Sequence, residues 1–147
     1  MLALLAELGR PAPGADPAPQ LAVVARWCET PGHVVLVAEE NETLVGLAAL
    51  EIRERLGWVM PEAWLSDLVV QPAARRRGIA RRLVEACLEC AVSSGCRWIR
   101  LECGLERGDA QAFYAKLGFE RFGVDLRLRL SGTGEVRESA PPPCAGI

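Results

Sequence analysis

The stretch Val69–Cys87, VVQPAARRRGIARRLVEAC, contains the strongest structural signals of this chain. An apolar run ends at Pro72, which cannot donate a hydrogen bond to a strand ladder. Three consecutive arginines, Arg75–Arg77, follow in a loop. From Gly78 onward, apolar residues recur at the 3.6-residue period of a helix. The stretch therefore predicts a strand, a loop and a helix in that order, and ligands of α/β sheets bind at such junctions.

The loop has the properties of a phosphate-binding helix start. The first N–H groups of a helix have no internal partner, and the helix dipole is positive at that end, so both favour an anion. Gly78 would let the backbone approach a ligand closely, and Ala80 keeps the next turn free of bulk. Arg75–Arg77 oppose the dipole, and this conflict favours a bound anion such as a pyrophosphate. The loop has neither the lysine and hydroxyl of a Walker A motif nor the three glycines of a dinucleotide fingerprint.

Outward from this junction, periodicity and turn residues predict an α/β chain. The order of elements is α-α-β-β-β-α-β-α-β, with a hairpin first and a βαβαβ half afterwards. The predicted elements are helices at Leu2–Leu8, Pro19–Cys28, Gly78–Ser94 and 106–118, and strands at 34–40, 44–54, 63–72, 97–104 and 119–130.

Composition narrows the classes of function. The net charge is −2 and the isoelectric point about 5.5, so the arginine run acts locally and a nucleic-acid-binding face is not expected. No run of 18 apolar residues occurs, which predicts no membrane span. The apolar start is short and contains Glu7, so we expect no secretory signal. Six cysteines without such a signal predict reduced thiols and a cytoplasmic protein.

A metal site is not expected. Cys87 and Cys90 form a C-x-x-C, but they fall inside the helical pattern, and no second closely spaced pair completes a zinc site. The single histidine, His33, precedes a strand, and we interpret it as a loop or capping residue rather than a catalytic base.

Two motifs resemble the signatures of the GNAT acetyltransferase superfamily. Arg75, Gly78 and Ala80 fill its Arg/Gln-x-x-Gly-x-Gly/Ala pattern. The segment GDAQAFYAKLGFE resembles its second signature, which is filled by Ala110, Phe113, Tyr114, Gly118 and Phe119. The resemblance runs from about Leu2 to Leu130. It implies a single domain at residues 1–131 with a mixed, mostly antiparallel sheet flanked by helices, and we expect residues 132–147 to form a disordered tail.

The resemblance implies acetyl-CoA as the donor and an amine as the usual acceptor. We favour a primary amine of a small molecule, and a polyamine, an aminoglycoside-like amine, an amino acid and a protein N-terminus all stay open. The pantetheine arm would pair with the third strand like an extra strand, and the pyrophosphate would lie on the N–H groups after the loop. The implied cofactor-binding residues are Leu68, Val69, Val70, Arg75, Arg76, Arg77, Gly78, Ile79, Ala80, Arg81, Arg107 and Phe113.

Acetyl transfer needs a neutral amine, a polarised thioester carbonyl and a proton for the leaving thiolate. The resemblance implies that Tyr114, the only tyrosine, supplies this proton as general acid. A main-chain N–H near Leu68 would polarise the carbonyl. The general base stays open between Asp67, Glu102, Glu51 and no dedicated side chain.

The acceptor pocket is expected between the first two helices, the loop RERLGWVMPEAW and the strand ends near residues 103–107. Trp58, Met60 and Trp64 would give this pocket an aromatic character, or would simply pack the loop. Glu51, Glu54 and Glu62 would favour a cationic acceptor.

Two features depart from the family pattern. Members usually begin with a strand before the first helix, and this strand is missing here. Either the sequence is truncated or the edge of the sheet is left bare or filled otherwise, which makes it a candidate homodimer contact. Many members carry an asparagine seven residues before the tyrosine, and Arg107 stands at that position.

Two other classes of function compete with the enzyme. A non-catalytic acyl-CoA-binding module or sensor would keep the same fold, and it would bind the cofactor without turning it over. A nucleic-acid-binding domain would use the arginine run, and its affinity would fall steeply with salt.

Overall fold

The computed structural model describes residues 1–8 and 16–128. Met1–Gly104 and the residues from Leu105 onward form two compact units. The predicted tail, 132–147, lies outside the described residues. The helices are α1 (Leu2–Ala6), α2 (Ala18–Glu29), α3 (Ile79–Ser93) and α4 (Gly108–Lys116), and the strands are β1 (His33–Glu40), β2 (Thr43–Arg53), β3 (Glu62–Val70) and β4 (Trp98–Leu101).

The first unit contains a four-stranded mixed sheet in the order β1-β2-β3-β4. β1 pairs with β2 and β2 with β3 in antiparallel fashion, whereas β3 and β4 are parallel. The parallel pair is connected through α3, as a crossover connection requires. The predicted α/β class with a mixed, mostly antiparallel sheet is confirmed, and residues 1–8 and 16–32 contain helices but no strand.

Alternating residues of β2 divide the core between the two faces of the sheet. Leu47 and Ala49 are buried in a cluster with Leu4 of α1 and Val69 of β3. Gly46 faces the other way, toward Ile79 and Leu83 of α3. α1 and α3 therefore cover opposite faces, which explains why β2 is apolar on both sides.

The four helices α1–α4 and the strands β1–β3 have bounds close to those predicted, but the last two predicted strands differ. β4 is limited to Trp98–Leu101, because only these residues pair with β3. No strand is formed at 119–128, where the prediction of a last strand was wrong for the described residues. Their alternating apolar and charged side chains are typical of a strand, yet residues 120–128 are all exposed and belong to no ladder. Alternation favours a strand only where a neighbour pairs with it.

The C-x-x-C pair lies on α3, as predicted. Cys87 is fully buried, Cys90 is half-buried, and the five cysteines of the described segments are free thiols. Within those segments, no cluster of three or more metal-ligating side chains occurs. Burial, with a contribution from Cys90, raises the pKa of the Cys87 thiol to about 12. Among helices with a described structure, none has the length and apolar character needed to cross a bilayer.

We expect Gly46→Val to destabilise the protein by about 1–3 kcal/mol, because α3 packs directly against this position. A Cβ atom at Gly46 would lie 3.1 Å from side-chain atoms of both Ile79 and Leu83. The measurement is urea denaturation, in which the midpoint should fall. Thr43→Val, at an exposed position of the same strand, should leave the midpoint nearly unchanged. Equal midpoints for both variants would contradict this packing.

We expect the free energy of unfolding to fall as pH rises above about 9, partly because of Cys87. The thiol has a pKa near 9.0 when exposed and about 12 in the folded chain, so the unfolded chain loses its proton first. This contribution to stability is fully present below pH 9 and is lost as pH rises toward 12. In Cys87→Ala, denaturation at pH 8 and pH 10.5 should show a smaller decline than in the parent chain. Equal declines would show that the thiol is not protected.

Candidate functional site

The parallel strands β3 and β4 separate halfway along β3. Their pairing runs from Glu62 opposite Trp98 to Leu65 opposite Leu101. β4 ends there, but β3 continues to Val70. Between Ser66 and Val70, the side of β3 that faces away from β2 has no strand partner among residues 1–8 and 16–128. The edge of β3 beyond Leu65 therefore offers a path on which an extended ligand could pair like a strand, although the Val70 carbonyl oxygen already accepts a hydrogen bond from Arg75 Nε.

A β-bulge marks the place where the strands separate. Ala49 of β2 pairs with Asp67 and Leu50 pairs with Leu65, so Ser66 is the extra residue on β3. The Ser66 hydroxyl donates to the Ala49 carbonyl oxygen at 3.1 Å. A bulge shifts the alternation of side chains by one residue. It therefore turns Asp67 to the face of the sheet that also carries Val69 and α1.

The three candidate bases have different positions. Asp67 is half-buried and lies two residues beyond the last paired residue of β3. Glu102 is exposed and follows the last paired residue of β4. These two carboxylates stand on the two strands where the opening begins. Glu51 lies on β2 opposite Trp64, before the opening, and its Oε2 accepts a 2.8 Å bond from Arg53 Nε.

The arginine loop begins with a single 3₁₀ turn, Pro72–Ala74, after β3. Arg75 Nε donates to the carbonyl oxygen of Val70 at 3.0 Å and thus holds the start of the loop against the strand end. The sequence identified this residue as part of a signature and as a cofactor contact, and the structure adds a role in shaping the loop.

The arginines do not form a free basic patch, because three of them have acidic partners. Arg75 lies 3.5 Å from Glu7, Arg77 lies 2.9 Å from Glu40, and Arg81 lies 3.5 Å from Glu85. All three arginine side chains remain more than half exposed, so they could still contact an anion. Pairing of this kind is weak at an exposed surface.

The start of α3 is open, as phosphate binding requires. Gly78 is the N-cap residue at φ 79°, and no side chain caps the helix. Arg76 also has a positive φ of 64°. A Cβ atom at Gly78 would have no heavy atom within 4 Å, so a ligand could approach the first N–H groups of the helix. These features fit a phosphate group.

The second unit contains α4, which carries most of the second signature segment. Tyr114 is half-buried. The centroid of its ring lies 5.2 Å from that of Phe113 and 5.5 Å from that of Phe119. Gly118, at φ 88°, ends the helix, and the Phe119 N–H donates to the Tyr114 carbonyl oxygen at 3.1 Å. Arg107 is the exposed N-cap residue and makes no side-chain capping bond. The aromatic contacts hold the tyrosine ring in place.

Two parts of the predicted acceptor pocket that belong to the first unit lie at different edges of the sheet. The loop residues Gly57–Met60 line a cavity of about 420 Å³ together with Arg97 and Trp98, at the start of β4. Cys103 follows the other end of β4. Because β3 and β4 are parallel, the segments that precede them meet at one edge of the sheet and the segments that follow them at the opposite edge. The loop and the strand end near residue 103 are therefore separated by the length of β4.

Sequence reasoning missed a buried charge cluster around Glu62. This carboxylate is 5% exposed and lies 3.2 Å from Arg55 and 3.5 Å from Arg100. The Trp64 ring lies between Arg53 and Arg100, with centroid distances of 4.6 and 5.9 Å. Of the three glutamates expected to attract a cationic acceptor, Glu51 and Glu62 are thus paired with arginines. The local sequence carries no signal for this cluster, because its members come from three strands and a loop.

Comparisons with known proteins agree with this geometry. The model of the Acetyltransferase (GNAT) family matches residues 1–119. The N-alpha-acetyltransferase RimI of Mycobacterium tuberculosis is 35% identical over 134 residues, which cover 88% of this chain and 80% of that protein. A probable glucosamine 6-phosphate N-acetyltransferase of Oryza sativa is 35% identical over 101 residues, which cover 65% of this chain. These residues span only 59% of the length of the rice protein.

Solved structures show the same fold. An aminoglycoside N-acetyltransferase in complex with CoA superposes with a TM-score of 0.67 at 25% identity, over 78% of this chain and 87% of that one. The family match covers both signatures, the opening between β3 and β4, and the open start of α3. The chain therefore belongs to the GNAT acetyltransferase family.

Proposed function

We propose that this chain is a cytoplasmic, acetyl-CoA-dependent N-acetyltransferase that moves an acetyl group to a primary amine of a small molecule. The observation that carries the proposal is the opening between β3 and β4, which leads along Ser66–Val70 to the uncapped start of α3. An extended arm that ends in a pyrophosphate needs such a path, with a strand edge first and helix N–H groups next.

The residues along this path fit the cofactor in their chemistry. Leu68, Val69 and Val70 would pair with the amides of the pantetheine arm. The N–H groups of residues 76–81 would bind the pyrophosphate, and Gly78 leaves space for its approach. The exposed parts of Arg75–Arg77 and Arg81 would add positive charge.

In the proposed reaction, the bound cofactor supplies a thioester as the acetyl donor. A carboxylate at the start of the opening, Asp67 or Glu102, would take a proton from the ammonium form of the acceptor, directly or through water. The main-chain N–H near Leu68 would donate a hydrogen bond to the developing oxyanion. Tyr114 would give its phenolic proton to the departing thiolate. The role of Tyr114 rests on its place in the family signature.

We propose a small primary amine as the acceptor and name no narrower class of amine. The named acceptors of the similar proteins differ: glucosamine 6-phosphate, the N-alpha amine and aminoglycosides. The pairing of Glu51 with Arg53 and of Glu62 with Arg55 and Arg100 removes the main argument for a strongly cationic acceptor.

The test is calorimetric titration of the protein with acetyl-CoA, followed by a panel of sugar amines, amino acids, polyamines and aminoglycosides. Release of free CoA thiol would be followed for each amine. Saturable binding with thiol release above the hydrolysis rate supports the proposal. Saturable binding with no release for any amine would favour the acyl-CoA-binding module, and the absence of binding would contradict both.

We expect Gly78→Glu to weaken acetyl-CoA binding by at least about 100-fold, because the carboxylate would fill the approach to the helix start and repel phosphate. Gly57→Glu is a matched control. Gly57 has a φ of 83° and, like Gly78, no heavy atom within 4 Å of an added Cβ, but it lies in the loop before β3. Calorimetry on both variants compares the affinities. Equal affinity in Gly78→Glu and Gly57→Glu would refute the loop as the phosphate site.

We expect Tyr114→Phe to lower kcat by about 100-fold while leaving the affinity for acetyl-CoA unchanged, because only the acid is removed. The phenylalanine ring keeps the contacts with Phe113 and Phe119, so the fold should be retained. Steady-state rates over pH and a thermal melt provide the measurement. A variant with the parent's kcat and pH profile would show that Tyr114 is not the acid.

A further inference from the structure

The directions of the hydrogen bonds along β2 show which of its backbone groups face β3. The Ile52 N–H donates to the Gly32 carbonyl oxygen at 2.7 Å, so the backbone groups of Ile52 point toward the β1 side. In an antiparallel sheet these groups alternate between the two neighbouring strands. Ala49 lies an odd number of residues before Ile52, so its N–H and C=O groups point toward β3. The Ala49 carbonyl oxygen accepts the 3.1 Å hydrogen bond from the Ser66 hydroxyl.

The pairs on either side of the bulge leave one residue of β3 over. Leu50 lies opposite Leu65, and Leu47 lies opposite Val69. Between these pairs β3 has residues 66, 67 and 68, whereas β2 has only residues 48 and 49. One residue of β3 must therefore be extra, but the flanking pairs do not determine which one it is. A contact within the bulge has to make that choice.

The position of the extra residue decides what β3 presents at the opening. With Ser66 as the extra residue, Asp67 lies opposite Ala49. Leu68 then lies opposite Ala48, whose backbone groups point toward β1, so the Leu68 N–H points away from β2 and toward the opening. If Leu68 were the extra residue, Asp67 would lie opposite Ala48. The Asp67 side chain would then turn to the face of the sheet that α3 covers.

We propose that Ser66 is a positioning residue for acetyl transfer, because its bond to the Ala49 carbonyl oxygen keeps the extra residue at position 66. This inference rests on the proposed function, in which the Leu68 N–H polarises the thioester and Asp67 is a candidate base. Ser66 is half-buried, and its hydroxyl proton is used within the sheet. It therefore acts through the two residues that follow it and not on the substrate itself.

One hydrogen bond is enough to influence this choice. An intramolecular hydrogen bond of ordinary strength shifts the ratio of two arrangements by up to about tenfold. Without the Ser66 hydroxyl, arrangements with the extra residue at position 67 or 68 become populated, and the fraction of competent protein falls. The pair of Leu47 with Val69 is unaffected, so Val70 and the start of α3 keep their positions. The loss should therefore appear in turnover and not in cofactor binding.

The test compares Ser66→Thr with Ser66→Val in the full chain. Both side chains are β-branched and of similar size, but only threonine keeps the hydroxyl. Ser66→Ala removes the hydroxyl without added bulk, so it carries the comparison if valine prevents folding. Release of CoA thiol is followed with the amine of the panel that reacts fastest with the parent chain. Calorimetry gives the affinity for acetyl-CoA.

We expect kcat to fall about five- to tenfold in Ser66→Val and Ser66→Ala, and to be largely restored in Ser66→Thr. All variants should bind acetyl-CoA with the affinity of the parent chain. Parent-level kcat in the valine and alanine variants would overturn the positioning role, whatever their melting temperatures. An equal loss of kcat in Ser66→Thr and Ser66→Val would overturn it as well, because the hydroxyl would then be irrelevant.

Nuclear magnetic resonance gives a readout that does not depend on the reaction. Contacts between backbone protons of Ala49 and Asp67 report the position of the extra residue, and they should weaken only in the variants without the hydroxyl. Unchanged contacts in Ser66→Val and Ser66→Ala would refute the role of the bond in fixing the bulge. A parent chain that binds no acetyl-CoA would overturn the proposed function and the catalytic role of Ser66 with it. The backbone contacts would still decide separately whether the hydroxyl fixes the bulge.

Discussion

The short parallel pairing between β3 and β4 is the constraint on which the rest of this structure depends. It lasts only from Glu62 to Leu65 on β3, and beyond it β3 has no strand neighbour on that side within residues 1–8 and 16–128. A longer pairing would have satisfied the backbone groups of this edge within the sheet and would have left no path for an extended ligand. The bulge at Ser66 stands at the same point, so the twist and the change of side-chain direction coincide with the start of the opening.

Some of the charged residues near this opening stabilise the loop, and others are exposed and could contact a ligand. Arg75 shapes the loop through its bond to the Val70 carbonyl oxygen, and Arg77 is held near Glu40. These contacts offset the cost of placing cations at a helix N-terminus, which opposes the dipole. They also explain why an acidic chain can carry an arginine run without a basic face. The backbone N–H groups of α3 remain the main attraction for an anion.

The sequence predicted the parts of the fold that depend on local pattern. The strand, loop and helix from Val69 to Cys87 were predictable because Pro72 marks the end of the strand and Gly78 the start of the helix. The spacing of the apolar residues after Gly78 then identifies the helix. The extent of β4 was not, because it depends on where a neighbouring strand stops pairing. The missing strand at 119–128 has the same cause, since its alternating pattern carries no information about a partner.

The candidate site shows the same division. The two signatures could be read directly, and the open start of α3 followed from Gly78. The bulge at Ser66 and the cluster around Glu62 could not be read, because each joins residues far apart in the chain. The separation of the aromatic loop from residue 103 follows from the direction of β4, which becomes decisive only once the pairing is known.

Glu62 helps to hold β3 and β4 together at the end opposite the opening. It is a buried carboxylate at the start of β3, and Arg100 of β4 reaches it across the two strands. Separation of the strands would take one of its two arginine partners from a buried carboxylate, so the ion pair resists separation at this end. Arg55 contacts the same carboxylate from the preceding loop. The two strands are thus held together at one end by a buried ion pair, and at the other end their pairing stops at Leu65 and Leu101.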